Sequence, residues 1–309
     1  MSHVPTVDIT PSCHARPEHA YPGVSPQILA RVLQLWSAKG LEFDGHWKLA
    51  VGSMPGFRPL PRLETRSSAP VDLVFLFDQC VIWVKALHAA AVAGKSQGTP
   101  GLYPEQWQGL AAVSARLIEQ ITALRMLALT DLPMPAMQIA RSVSEDVDMI
   151  LVQLARRRLA ARFVACRTVT EANEFWRRHI AGGRAFRAVA EKLYDIGLDQ
   201  SSDTEYGQWR QNVLTVLGAA VHSNALAPPS NDRRSVLAND DSVYFSAFRI
   251  HELCAYSQLI APNLSGTLHS AAERHPAPAS QEARLARLAA PLSGVLINQI
   301  QTLAWPATS

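Results

Sequence analysis

An all-α, multi-helix bundle is the fold class this sequence predicts, and three observations predict it. From residue 71 almost to the end, apolar residues recur at spacings of three and four. Clusters of proline and glycine separate those periodic runs, as helix boundaries require. The composition, 48% hydrophobic and 18% charged over 309 residues, supports a packed core and excludes a disordered chain.

Residues 1–24 contain Pro5, Pro11, Pro17 and Pro22 without a period and read as an irregular arm. Ser25-Pro26 then starts a helix with a capping serine and a proline at its first position. Leu29, Val32, Leu33 and Trp36 form its apolar stripe, and Gly40 closes it. Seven glycines and prolines between Gly45 and Pro70 predict a long loop or short extended pieces. The expected division is an irregular segment with one helix over 1–70 and a helical bundle domain over 71–309.

Val71–Ala93 is apolar nearly all round, which predicts the central helix. Asp72, Asp78, Lys85 and His88 interrupt the stretch from Val71 to Gly94, which argues against a membrane span of ~20 residues. Pro104-Glu105 opens a helix through Trp107, Leu110, Val113, Leu117, Ile121 and Leu124. After Asp131-Leu-Pro-Met-Pro135, residues Ala136–Arg167 are expected as one long helix with Ala140, Val143, Val147, Ile150 and Leu154 inward. Thr170 is expected to cap a short helix, Glu171–Ile180, ended by Gly182-Gly183. Further helices are expected around Phe186–Leu193, over Thr204–Asn224, over Asp241–Ile260, over 263–273 beyond Pro262, and over 281–303.

The N-terminus lacks a charged stretch followed by an apolar one, so no secretory signal is expected. Cys13, Cys80, Cys166 and Cys254 share no CxxC or Cys/His spacing, and free thiols in a reducing, cytoplasmic setting are expected. The net charge of +3 is uneven: Arg141 to Lys192 holds eleven basic and six acidic residues. A local basic field of this kind attracts nucleic acid or nucleotide, although a solvated helix face has the same composition.

Three places carry candidate chemistry. Arg141 and Glu145 stand at i and i+4, with Asp148 and Val152 on the same stripe, a spacing that supports an ion pair. Trp176-Arg177-Arg178-His179 combines an aromatic ring with cations, a mixture that binds phosphates and stacks bases, or simply buries Trp176 and solvates the arginines. His222 closes a stripe running back through Gly218, Thr215 and Gln211; as a general acid or base it needs an arginine such as Arg141, Arg177, Arg178 or Arg210. A capping or core histidine is the structural alternative. No P-loop, dinucleotide-binding glycine motif or nucleophile elbow is present. No Glu-x-x-His pair is present either, so no cofactor and no metal site is expected.

The blocks Ala140–Glu145, Glu171–His179 and Tyr206–Ser223 resemble a group of bacterial helical proteins within the HEPN-like (higher eukaryotes and prokaryotes nucleotide-binding) superfamily. The resemblance covers residues 136–224. It implies a HEPN-like helical core, RNA or nucleotide as the partner, and a toxin or defence context. It also implies metal-independent RNA cleavage, with His222, Arg141 and Glu145 at the positions matching the subgroup's pattern. Arg177, Arg178, His179 and Arg210 are then the expected nucleic-acid contacts. The superfamily's arginine four to six residues before a histidine is absent, since Arg210 precedes His222 by twelve positions. The alternative expectation is a non-enzymatic scaffold working through self-association, such as a homodimer, or through a protein partner, with Trp107, Trp209 and Trp305 as anchors.

Overall fold

The computed structural model of the chain describes residues 20–54, 71–130, 132–201, 203–221 and 239–299. Among the described residues there are α-helices, one 3-10 turn and no strand. In chain order the helices are α1 (Pro26–Ser37), α2 (Phe43–Gly52), α3 (Val71–Gln97), α4 (Pro104–Leu129), α5 (Pro133–Ala155) and α6 (Arg157–Ala165). They continue with α7 (Val169–His179), α8 (Arg184–Tyr194), α9 (Glu205–Val221), α10 (Asn239–Ile260), α11 (Leu264–Glu273) and α12 (Gln281–Gln299).

Helix α3 is the hub, because a helix that is apolar on every side loses least when every side is covered. Helices α4, α10, α11 and α12 surround it, and Phe75, Val81, Trp83 and Ala90 are all fully buried. It is long and apolar enough to cross a membrane, yet 83% of its apolar window is buried inside the bundle. Its close packing on α4 depends on Gly94, where an added Cβ would lie 2.7 Å from the Trp107 ring. Several polar groups in this core are paired. The Trp83 indole donates to Ser293 Oγ at 3.0 Å, Trp36 to Gln79 at 3.0 Å, and Trp107 to the Thr99 carbonyl at 2.8 Å. Asp78 accepts from Arg125 Nε at 2.8 Å and from the Tyr21 hydroxyl. Trp107 is therefore a core residue and not an interface anchor; Trp305 lies outside the described residues.

The stretch from Gly45 toward Pro70, expected as a long loop or short extended pieces, begins within a helix instead; of the expected irregular arm, residues 1–19 lie outside the described residues. Residues 43–52 form α2, whose first turn is capped by Glu42 accepting from Gly45 N at 2.7 Å. Phe43, Trp47 and Ala50, one helical turn apart in succession, face inward and join the cluster that holds Phe75. In α1 the buried positions are Leu29, Val32, Leu35 and Trp36; Leu33 lies at the margin. Residues 20–54 thus belong to the bundle's core.

The expected long helix over 136–167 is two helices. The chain breaks at Arg156, whose φ of −132° and ψ of 90° are extended, and α6 leaves in a new direction. The carbonyls freed at the break are satisfied by Gln106, whose Nε2 donates to the Gln153 and Leu154 oxygens at 3.0 and 2.8 Å. Helix α7 starts two residues earlier than expected, in a reciprocal cap of Thr168 and Glu171. Gly182 and Gly183, at φ of 65° and 72°, make the left-handed turn that folds α8 back on α7. Helices α6, α7 and α8 form a small lobe, with α6 against α4 and α5, and α8 against α5 and α10.

Candidate functional site

A cavity of about 280 Å³ lies between this lobe and the main bundle. Its walls are apolar and aromatic: Val113 of α4, Met149 of α5, Phe163 of α6, and Phe175 and Trp176 of α7. Phe175 turns inward and packs on Phe163 at 5.7 Å, which seats α7 on α6. Trp176, the next residue and ~100° further round, lines the cavity yet keeps 46% of its surface exposed.

The polar part of the lining is Arg116, Glu145 and Asn173. Arg116 grips Asp146 in a two-point pair, with Nε 2.9 Å from Oδ2 and NH2 on Oδ1. Asp146 is fully buried while the Arg116 side chain is 59% exposed, so the guanidinium stands at the rim on a dry anchor. Burial lowers the Arg116 pKa, and the field of Glu145 offsets part of that. Glu145 in turn accepts from Arg141 at 3.1 Å, the i, i+4 pair the spacing predicts. Among the described residues no serine, threonine, cysteine or histidine lines the cavity. The arrangement is suited to holding a flat ligand with a polar edge.

The lobe itself is basic. Arg156 to Lys192 contains ten basic and three acidic residues. Arg156 pairs with Glu191 at 2.8 Å, Arg157 with Glu105 at 3.6 Å, and Arg178 with Glu174. Glu171 is held by the backbone amides of Arg167 and Thr168, which lower its pKa. Arg158, Arg162, Arg167, Arg177, Arg184, Arg187 and Lys192 are all exposed, and among the described residues none has a carboxylate in ion-pair reach. Arg184 donates to the Arg177 and Ala181 carbonyls at 2.6 and 3.0 Å, closing the end of α7. The His179 ring packs on Phe175 at 5.0 Å; burial, with Arg162, Arg178 and Arg184 adding to it, lowers its pKa.

The residues singled out in the sequence therefore separate into groups. Glu145 lines the cavity with Arg141 paired to it, and Arg177, Arg178 and His179 lie on the same α7 that lines it. Arg210 does not join them and is not placed to touch a nucleic acid. It is buried, stacked 3.3 Å over the Phe186 ring, and donates to Asp148 Oδ2 at 2.8 Å. His222 lies outside the described residues; α9 is described as far as Val221. Asp148, expected on one stripe with Glu145, belongs to a different face of α5. Met137, Ala140 and Asp148 turn toward α9, whereas Arg141, Glu145 and Met149 turn a neighbouring face to the lobe.

Asp148 is the centre of a buried charged cluster that the sequence reading missed. Its Oδ1 accepts from Arg249, which also donates to Glu252; Glu252 accepts from the Tyr256 hydroxyl at 3.2 Å. Burial alone would lower the Arg249 pKa, but Glu252 and Asp148 outweigh it and hold the guanidinium firmly charged. The signal was Arg249 and Glu252 at i, i+3 among Phe248, Ile250 and Leu253. Elsewhere in the core, His251 stands 3.5 Å from the Cys80 thiol and donates to the Ala247 carbonyl at 2.7 Å. Burial raises the pKa values of Cys80 and Cys254 and keeps both thiols protonated. Among the described residues no group of three His, Cys, Asp or Glu could hold a metal ion. No family model matches the chain, and neither a curated protein nor a solved structure matches it.

Proposed function

We propose that the chain binds nucleic acid or a nucleotide at the α6–α8 lobe, with a base in the cavity beneath α7 and phosphates along the lobe's arginines. One observation carries this reading: Trp176, half exposed, lines an aromatic cavity at a lobe on which seven basic side chains lack a carboxylate among the described residues. An exposed indole gives a base a stacking face, and unpaired arginines give a polyanion its counter-charge. The HEPN-like resemblance of residues 136–224 agrees with RNA as that polyanion and with a defence or toxin setting. In the catalytic form of this reading, His222 moves the proton and Arg141 clamps the phosphate beside Glu145.

Fluorescence anisotropy with a labelled single-stranded RNA tests it across a potassium chloride series. The affinity is expected to fall with a log–log slope of about −0.7 per phosphate contacted, and Trp176→Ala to weaken binding by roughly 5- to 150-fold, as loss of one stacked base does. Salt-independent binding, or none, overturns the reading. RNA cleavage by the full chain that survives His222→Ala unchanged overturns the catalytic form alone.

A second reading, self-association or a protein partner without enzymatic activity, draws on Tyr194, Ile196 and Leu198, three exposed apolar side chains within five residues. A dimer that persists at high salt in a protein without RNA affinity selects it.

A further inference from the structure

Resting on that reading, we propose that the base the cavity selects is guanine, taken either from a free nucleotide or from an unpaired position in a strand. The inference comes from the hydrogen-bonding groups left over at the polar end. Glu145 uses Oε1 for Arg141, and its Oε2 has no partner among the described residues. A carboxylate only accepts. Arg116 commits Nε and NH2 to Asp146, and NH1 is left over as a donor. The lining thus presents a carboxylate, with Oε2 open and a second lone pair on Oε1, together with a donor.

Guanine presents the complement along one edge: the N1–H and the 2-amino group donate side by side, and O6 next to them accepts. The other bases mismatch. Adenine sets the N1 lone pair beside its 6-amino group, cytosine sets N3 beside its 4-amino group, and uracil has one N–H between two carbonyl oxygens. Each of them turns a lone pair toward the Glu145 carboxylate, and a site built to be hydrogen-bonded rejects a ligand that leaves its polar groups unpaired. The Asn173 carboxamide, also in the lining and without a partner among the described residues, can reach the ring's remaining acceptors. At about 280 Å³ the cavity is at the lower limit for ligand sites and has room for one planar heterocycle against Trp176, not for a base pair. A base pair would also hide the edge that Glu145 reads.

Titration calorimetry of the full chain with GMP, AMP, CMP, UMP and inosine monophosphate reads the selectivity. In parallel, anisotropy compares an oligoadenylate with the same strand carrying one guanosine. GMP is expected to bind at least tenfold more tightly than AMP, CMP or UMP, and inosine monophosphate, which lacks the 2-amino group, severalfold more weakly than GMP. Glu145→Gln should collapse the GMP-to-AMP ratio toward one, and Trp176→Ala should abolish binding of GMP. Preference for the guanosine strand with no binding of GMP assigns the strand as the source. Equal binding of the two strands and of the nucleotides overturns guanine selection and leaves the nucleic-acid reading standing; no binding of any strand or nucleotide overturns both.

Discussion

Around Asp148, two guanidinium groups meet two carboxylates in the dry interior between α5, α9 and α10, whereas on the α6–α8 lobe seven basic side chains meet none among the described residues. The two regions are linked through one helix: Glu145 and Asp148 are three residues apart on α5 and serve neighbouring faces. The interior cluster contains equal numbers of arginines and carboxylates because an uncompensated buried charge costs several kcal/mol. The lobe tolerates a surplus because water solvates each head, and that surplus remains open to a phosphate backbone. An arginine-rich segment therefore has no single meaning; the environment of each guanidinium decides whether it holds the fold or faces a ligand.

The largest effect that could break this contrast is Asp148→Ala, which leaves Arg210 and Arg249 sharing only Glu252. Chemical denaturation is expected to show a loss of about 3–5 kcal/mol, against no more than about 0.5 kcal/mol for Arg177→Ala or Arg187→Ala. Similar losses at the two places would erase the distinction.

Acid sharpens it. Burial holds the His251 pKa at about 4, below its ordinary 6.5, so the fold favours the neutral ring. That contribution is fully present above pH 6.5 and is lost as pH falls toward 4, about 3 kcal/mol in all. Denaturation midpoints taken across that window should fall less steeply for His251→Gln; an unchanged slope would show that this ring does not set the acid limit. The smallest effect belongs to Arg141→Ala. Its partly exposed pair with Glu145 is worth ~0.5 kcal/mol or less, and a larger loss of thermal stability would place the pair in the structural class with Asp148.

The limits of sequence reading can be traced to individual residues. The proline at the first position of α1 and the apolar girth of α3 act through neighbours in the chain, and both elements stand where expected, although the Ser25 hydroxyl makes no capping bond. Helix α2 was hidden because Gly45 and Gly52 outweighed the inward spacing of Phe43, Trp47 and Ala50, and that spacing is stabilising only once Phe75 is there to receive it. The break at Arg156 had no proline or glycine to announce it; Gln106, from another helix, holds the carbonyls it frees.

By itself the sequence determined that the chain is helical, that α3 lies at the centre and that residues Arg141 to Lys192 are basic. Those properties follow from local periodicity and composition. Only the tertiary structure decided which charges are interior and which outward, since side chains about 100° apart on one helix meet different neighbours. It sent Arg210 to Asp148 and brought Trp176 beside Glu145 and Arg116, because burial and charge pairing depend on contacts between residues far apart in the chain.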